Sequence, residues 1–126
     1  MSLLLLLPKD AVKLNPWGVF IGGMKRIIEL NGRTRMQHAH VDVVKWKGSW
    51  YIGADCMSSR GGFGSLPSSN DLFPYSTLDE AIHEGYRLII KCMQQNLDSA
   101  DDERFYNQIL KSIKEWRDRT GYAAPL

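Results

Sequence analysis

The sequence predicts an α+β fold: an antiparallel sheet of about three to five strands packed on one face by one long helix, plus a C-terminal helix. Three observations carry this reading. Across residues 41–94 the hydrophobic spacing switches from two residues to about 3.6, the change from strand to helix, with a Gly/Ser/Pro-rich stretch between. Thr77-Leu78-Asp79-Glu80 has the capping-box pattern that marks where such a helix begins. Glycine-containing turn signals, Asn31-Gly32 and Lys47-Gly48-Ser49, separate the alternating runs.

The elements follow in order. Residues 3–7 are all leucine and are stopped by Pro8 with no basic residue before them, whereas an export segment needs about 7–15 apolar residues after a positive start. The run is read as a buried or edge strand, or in part as an expression remnant. Residues 9–16 are polar and end in Asn15-Pro16, a loop signal. Trp17, Val19 and Ile21 then alternate with Gly18, Phe20 and Gly22, a short strand ending at Gly22-Gly23. Residues 24–30 allow two readings. Met24, Ile27 and Ile28 fit a helical face stopped by Gly32, and the same run fits a strand entering a type I′ turn at Asn31-Gly32; the hairpin is preferred.

Residues 33–47 alternate, with Val41 and Val43 on one face and Val44 and Trp46 on the other. The turn falls at Lys47-Gly48 or Gly48-Ser49. Trp50, Ile52, Ala54 and Cys56 line one face of the returning strand, and Tyr51, Gly53 and Asp55 the other. Residues 57–74, with their glycines, serines and prolines, exclude a central strand and read as a long connection laid over the body by Phe63, Leu66, Leu72 and Phe73. From Thr77 a stripe of Leu78, Ala81, Ile82, Gly85, Leu88, Ile89, Cys92 and Met93 is expected on the sheet. Residues 96–100 break the pattern. Phe105, Ile109, Ile113 and Trp116 then mark a last helix, with acidic residues at its start and Gly121 as its stop, packed on its own domain or on a partner chain.

Composition agrees with one globular domain over residues 1–126: 44% hydrophobic and 24% charged residues. Two cysteines, Cys56 and Cys92, sit among apolar positions and are read as buried thiols in a reducing compartment. The thiols point to the cytoplasm, and no run approaches the roughly 20 apolar residues of a membrane span, so a soluble protein is expected. Residues 1–60 carry nine Lys/Arg against four Asp/Glu, and residues 61–126 carry seven against ten. The strand half is therefore basic and the helical half acidic.

Candidate chemistry is sparse. His38, His40 and Asp42 alternate on one strand face, the residue types of a divalent-metal set, but a single strand rarely supplies a whole site and no second cluster is visible. No metal and no cofactor are assigned. Gly61-Gly62-Phe63-Gly64 lacks the Gly-Lys-Ser/Thr of a phosphate loop. No Ser or Cys stands in a nucleophile motif. The main binding candidate combines Arg33, Arg35 and Lys45, with Arg26 and Lys47, and the rings of Trp46, Trp50 and Tyr51. Such a surface suits a protein interface or the stacking of unpaired bases. Phe63 with Trp50 and His38 is the candidate lining of a pocket under the 57–74 loop.

The run 43–53, Val-Val-Lys-Trp-Lys-Gly-Ser-Trp-Tyr-Ile-Gly, followed by the glycine loop and by Phe-Pro-Tyr-Ser-Thr-Leu-Asp-Glu-Ala-Ile at 73–82, resembles small uncharacterised proteins of mobile elements: phage, plasmid and integron-cassette products. The resemblance rests on structural positions and implies no activity or site residue. The expected function is that of an accessory protein acting by non-catalytic binding or self-association, as a homodimer or with a protein partner. A nucleic-acid-binding module and a small-molecule-binding domain or small enzyme are the alternatives.

Overall fold

The computed structural model describes residues 11–65, 67–69 and 74–125. The leucine run and the anchors Leu66, Leu72 and Phe73 lie outside these residues. The described elements are β1 (Lys13–Leu14), β2 (Phe20–Gly22), β3 (Lys25–Asn31), β4 (His38–Trp46), β5 (Ser49–Met57), β6 (Gly62–Ser65), α1 (Leu78–Gln95) and α2 (Ala100–Thr120). β3, β4, β5 and β6 form an antiparallel meander in that order, and β1 pairs with β2 in a separate two-stranded sheet. The fold is α+β with a C-terminal helix. Among the described residues no helix is long and apolar enough to cross a membrane.

The β4–β5 ladder is unbroken from His38↔Met57 to Trp46↔Ser49. Its turn is Lys47-Gly48, both at positive φ (50° and 80°), the conformation a two-residue type I′ turn requires. The ambiguous run 24–30 is extended from Lys25 onward as β3, with a bulge between Arg26 and Ile28. The turn after β3 is not at Asn31-Gly32. Asn31 still pairs with His38, and the chain reverses within residues 32–37, where Gly32 N–H donates to Gln37 O (2.8 Å) and Gln37 N–H donates to Thr34 O (3.2 Å). Gly32 serves close approach instead: a Cβ there would lie 2.5 Å from Gln37 Oε1.

The glycine-rich stretch after Met57 is not a connection throughout, because four of its residues return along β5 as the edge strand β6. Glycine makes this approach possible, since a Cβ on Gly62 would lie 1.9 Å from Cys56 O. Farther on, Pro67 O accepts from Phe20 N–H (3.0 Å) and Ser69 N–H donates to Gly18 O (2.8 Å), tying this segment to β2. Tyr75 and Trp50 exchange backbone bonds of 2.7 and 2.9 Å just before α1.

α1 is capped by Thr77, whose hydroxyl accepts from Glu80 N–H (3.1 Å). The Glu80 carboxylate completes only a variant of the box, accepting from the Ser76 hydroxyl (3.2 Å). Of the expected stripe, Ala81, Gly85, Ile89, Cys92 and Met93 are buried, while Leu78, Ile82 and Leu88 are half-buried. His83, Tyr86 and Ile90 are buried as well, because α1 has a second covered side. There it meets α2: the Tyr86 and Ser112 hydroxyls lie 2.7 Å apart, and the Tyr86 and Trp116 rings 5.9 Å apart. α2 therefore packs on its own domain, burying Phe105, Ile109, Ile113 and Trp116. Gly121, at φ 75°, caps it and donates to Arg117 O (2.8 Å).

The start of α2 is fastened from inside. Ser99 accepts from Asp102 N–H (3.1 Å), and the buried Asp102 carboxylate accepts from Gln37 Nε2 (3.0 Å), Ser59 N–H (3.1 Å), the Ser59 hydroxyl and Asp98 N–H (3.2 Å). Helix, loop 32–37 and the end of β5 meet at this one side chain.

Candidate functional site

Strand alternation divides the meander's side chains between two faces. Ile28, Ala39, Val41, Val43, Ile52, Ala54 and Cys56 face α1 and form the main core. The opposite, outer face has two halves. Near the Lys47-Gly48 turn, Val44 and Tyr51 are buried under Phe20 of β2, with Met24 and Trp46 packed beside them. Toward the other end the outer face is polar and open, carrying His38, His40 and Asp42 from β4 and Asp55 from β5.

The ladder sets this group. His40 lies directly across from Asp55, and two pairs further along, on the same face, Asp42 faces Gly53. The His40 Nε2 atom is 3.7 Å from Asp55 Oδ2 and 3.8 Å from Asp42 Oδ2. The His38 and His40 rings stack at 6.1 Å with 15° between planes. One donor atom each from His38, His40 and Asp55 lies within 4.8 Å of the others. On the β3 side Arg26 Nε donates to Asp42 Oδ1 (3.0 Å), which holds the guanidinium firmly protonated, and Glu29 pairs with His40 across the strands. On the β6 side Gly64 faces Asp55 and leaves the space above it open. A shallow cavity of about 220 Å³ is lined by His40, Asp42, Asp55, Gly64 and Ser65. The strand half is basic in total, yet here three carboxylates surround two imidazoles with one guanidinium between them.

The residues of the main sequence candidate are distributed over the fold. Arg33 and Arg35 are exposed in loop 32–37, with Arg33 3.9 Å from Asp101. Lys45, Trp46, Trp50 and Tyr51 lie at the far end of β4 and β5, about 30 Å away along nine strand residues. At that end Trp46 and Tyr51 are on the outer face and Lys45 pairs with Trp50 on the inner one. Tyr51 is buried, and Trp46 meets Phe20 and Tyr51 edge-on at 5.8 and 6.0 Å while Lys47 Nζ sits 4.4 Å from its ring centre. Phe63 packs from β6 against the main core and lines a cleft of about 240 Å³ with Leu88, Lys91 and Cys92. His38 and Trp50 do not line that cleft.

Alternation along single strands does not by itself join Asp55 to the histidines. Its position depends on register: a Lys47-Gly48 turn sets it opposite His40, whereas a Gly48-Ser49 turn would set it opposite Asp42. Neither cysteine is placed to react. Both are free and buried, burial pushes the Cys56 thiol up, and the sulfurs point at carbonyls, Cys56 Sγ to Ile89 O (3.9 Å) and Cys92 Sγ to Cys56 O (3.8 Å).

Comparison of the chain with family models, curated proteins and solved structures gives no match.

Proposed function

We propose that this chain is a non-catalytic binding module that self-associates as a homodimer through the β1–β2 hairpin. The observation that carries this reading is the apolar surface of that hairpin: Val12, Leu14 and Ile21 are 40%, 37% and 57% exposed on an element whose Phe20 already covers the sheet. Several partly exposed apolar side chains on and beside so short a hairpin favour an interface. Burying each contributes up to about 1.5–3 kcal/mol, set against an association cost of about 4–15 kcal/mol, so a dimer that dissociates on dilution is the form this surface supports. An accessory role in a mobile element, suggested by residues 43–53 and 73–82, suits a module that acts by binding.

The test is sedimentation velocity over a concentration series. The wild-type chain is expected to move from monomer to dimer as concentration rises, and Ile21→Glu to stay monomeric with an unchanged circular dichroism spectrum. A wild-type chain that stays strictly monomeric at millimolar concentration overturns the reading.

A further inference from the structure

The open half of the outer face offers a chemistry that self-association does not use. We propose that His38, His40 and Asp55 form a three-ligand site for a divalent d-block cation, with Zn²⁺ as the reference ion and at least one position left for water.

Four features converge on it. First, the donors are of the right kind, since two imidazole nitrogens and one carboxylate oxygen are a borderline set that suits zinc and its neighbours, whereas calcium and magnesium require mainly oxygen. Second, they are already gathered: the three donor atoms lie within 4.8 Å of one another. Around a tetrahedral ion with bonds near 2.0–2.1 Å, donors stand about 3.3–3.4 Å apart, so rotations about the side-chain bonds of the three residues suffice to close the set.

Third, the scaffold is rigid where it needs to be. His38 and His40 project from the same face of β4, Asp55 stands opposite His40 on β5, and the ladder joining these strands has no irregularity. Sites on such elements hold their geometry better than sites on loops. Fourth, the surroundings favour a cation and leave it accessible. Asp42 is 3.8 Å from His40 and Glu29 faces it from β3, while Arg26 is engaged by Asp42. Gly64 puts no side chain over Asp55, and the cavity of about 220 Å³ beside His40 and Asp55 has room for an ion and its water. The residues themselves are only partly exposed, with 21% and 35% of the His40 and Asp55 side chains accessible, so water is thinned without being excluded.

The alternative occupant of this geometry is no ion at all, with His40 held between Asp42 and Asp55 as a surface ion pair. The full-length protein, stripped with a chelator and titrated calorimetrically with Zn²⁺ and separately with Co²⁺, separates the two. One ion per chain is expected to bind, and the Co²⁺ form is expected to show the intense visible bands of four-coordinate nitrogen and oxygen ligation without thiolate charge-transfer bands. His38→Ala, His40→Ala and Asp55→Asn should each weaken binding at least about tenfold, while Asp79→Asn, on exposed helix surface, should leave it unchanged. Because the three variants alter partly exposed side chains, their circular dichroism spectra should match the wild type. Absence of stoichiometric binding, thiolate bands in the Co²⁺ spectrum, or full affinity retained in His40→Ala overturns the proposal. Ile21 does not line the cavity beside these ligands, so Ile21→Glu separates the two readings: a monomer that still binds one ion supports the site whatever the fate of the dimer.

Discussion

Asp102 is a buried carboxylate that fastens the start of α2 to loop 32–37 and to the end of β5. Burial alone would push this carboxyl up, but the donors from Ser59, Gln37 and Asp98 outweigh it and hold its pKa from 3.8 down to about 2. That displacement corresponds to roughly 2 kcal/mol of stability, present above the unfolded value and lost as pH falls from about 4 through 2. His83 works in the same direction at higher pH. Burial first, and then the Arg117 charge, lower its pKa below 6.5, so the folded chain resists protonation and stability starts to fall as pH drops below that value. Thermal melts from pH 8 to 2 should therefore show two descending steps. His83→Gln should flatten the upper one. Asp102→Asn should flatten the lower one and cost about 1–3 kcal/mol at neutral pH, because buried donors lose a charged acceptor. An Asp102→Asn chain with wild-type stability at pH 7 would refute the role given to this carboxylate.

Among the elements, α1 depends most on one missing side chain. A Cβ on Gly85 would lie 2.7 Å from Val41 Cγ1 and 2.8 Å from Cγ2, and Val41 is fully buried in β4. A β-branched residue in a packed strand has little room to yield. Gly85→Ala should destabilise the chain by about 1–3 kcal/mol through overpacking, reversing the gain of up to about 1 kcal/mol that alanine brings to a helix interior. In a Val41→Ala background the same change should cost less, and urea denaturation of the double-mutant cycle measures the difference. A stabilising Gly85→Ala would show that helix and sheet are farther apart than described. Element identity was largely readable beforehand. The β4–β5 hairpin, the Thr77 start and both helices follow from local periodicity and caps. The reversal after β3 and the strand β6 did not, because Gly32 and Gly62 act through close approach to Gln37 and to the Cys56 carbonyl, contacts that hydrophobic periodicity does not encode.

At the scale of the whole molecule, the described residues form two apolar clusters set back to back on one sheet. The main one joins the sheet to α1 and α2, and the smaller one joins it to β2 through Phe20. Their sizes predict unequal roles. Ile89 is fully buried in the main cluster, and a charge there removes the packing of the sheet on its helices. Phe20→Ala forfeits about 3–5 kcal/mol of local packing, but the hairpin it anchors is short and joined to the rest at its margin. Hydrogen exchange should accordingly show residues 13–22 losing protection in Phe20→Ala while β4, β5 and α1 keep theirs. Ile89→Asp should expose all of them together. Uniform loss of protection in Phe20→Ala would mean that the two clusters form one cooperative unit.

Local pattern sufficed to determine the β4–β5 hairpin and both helices, which side of each is apolar, and that α1 covers a sheet, because these depend on neighbours a few residues apart; the short strands β1 and β6 lay outside its reach. Tertiary structure alone decided that His40 faces Asp55 and that the basic and aromatic residues are divided between two ends and two faces. It also decided that Asp102 is buried with four donors. The physical reason is register: in a sheet of period two, a shift of one residue at a single turn exchanges every cross-strand partner, and only the packing of both faces selects one arrangement.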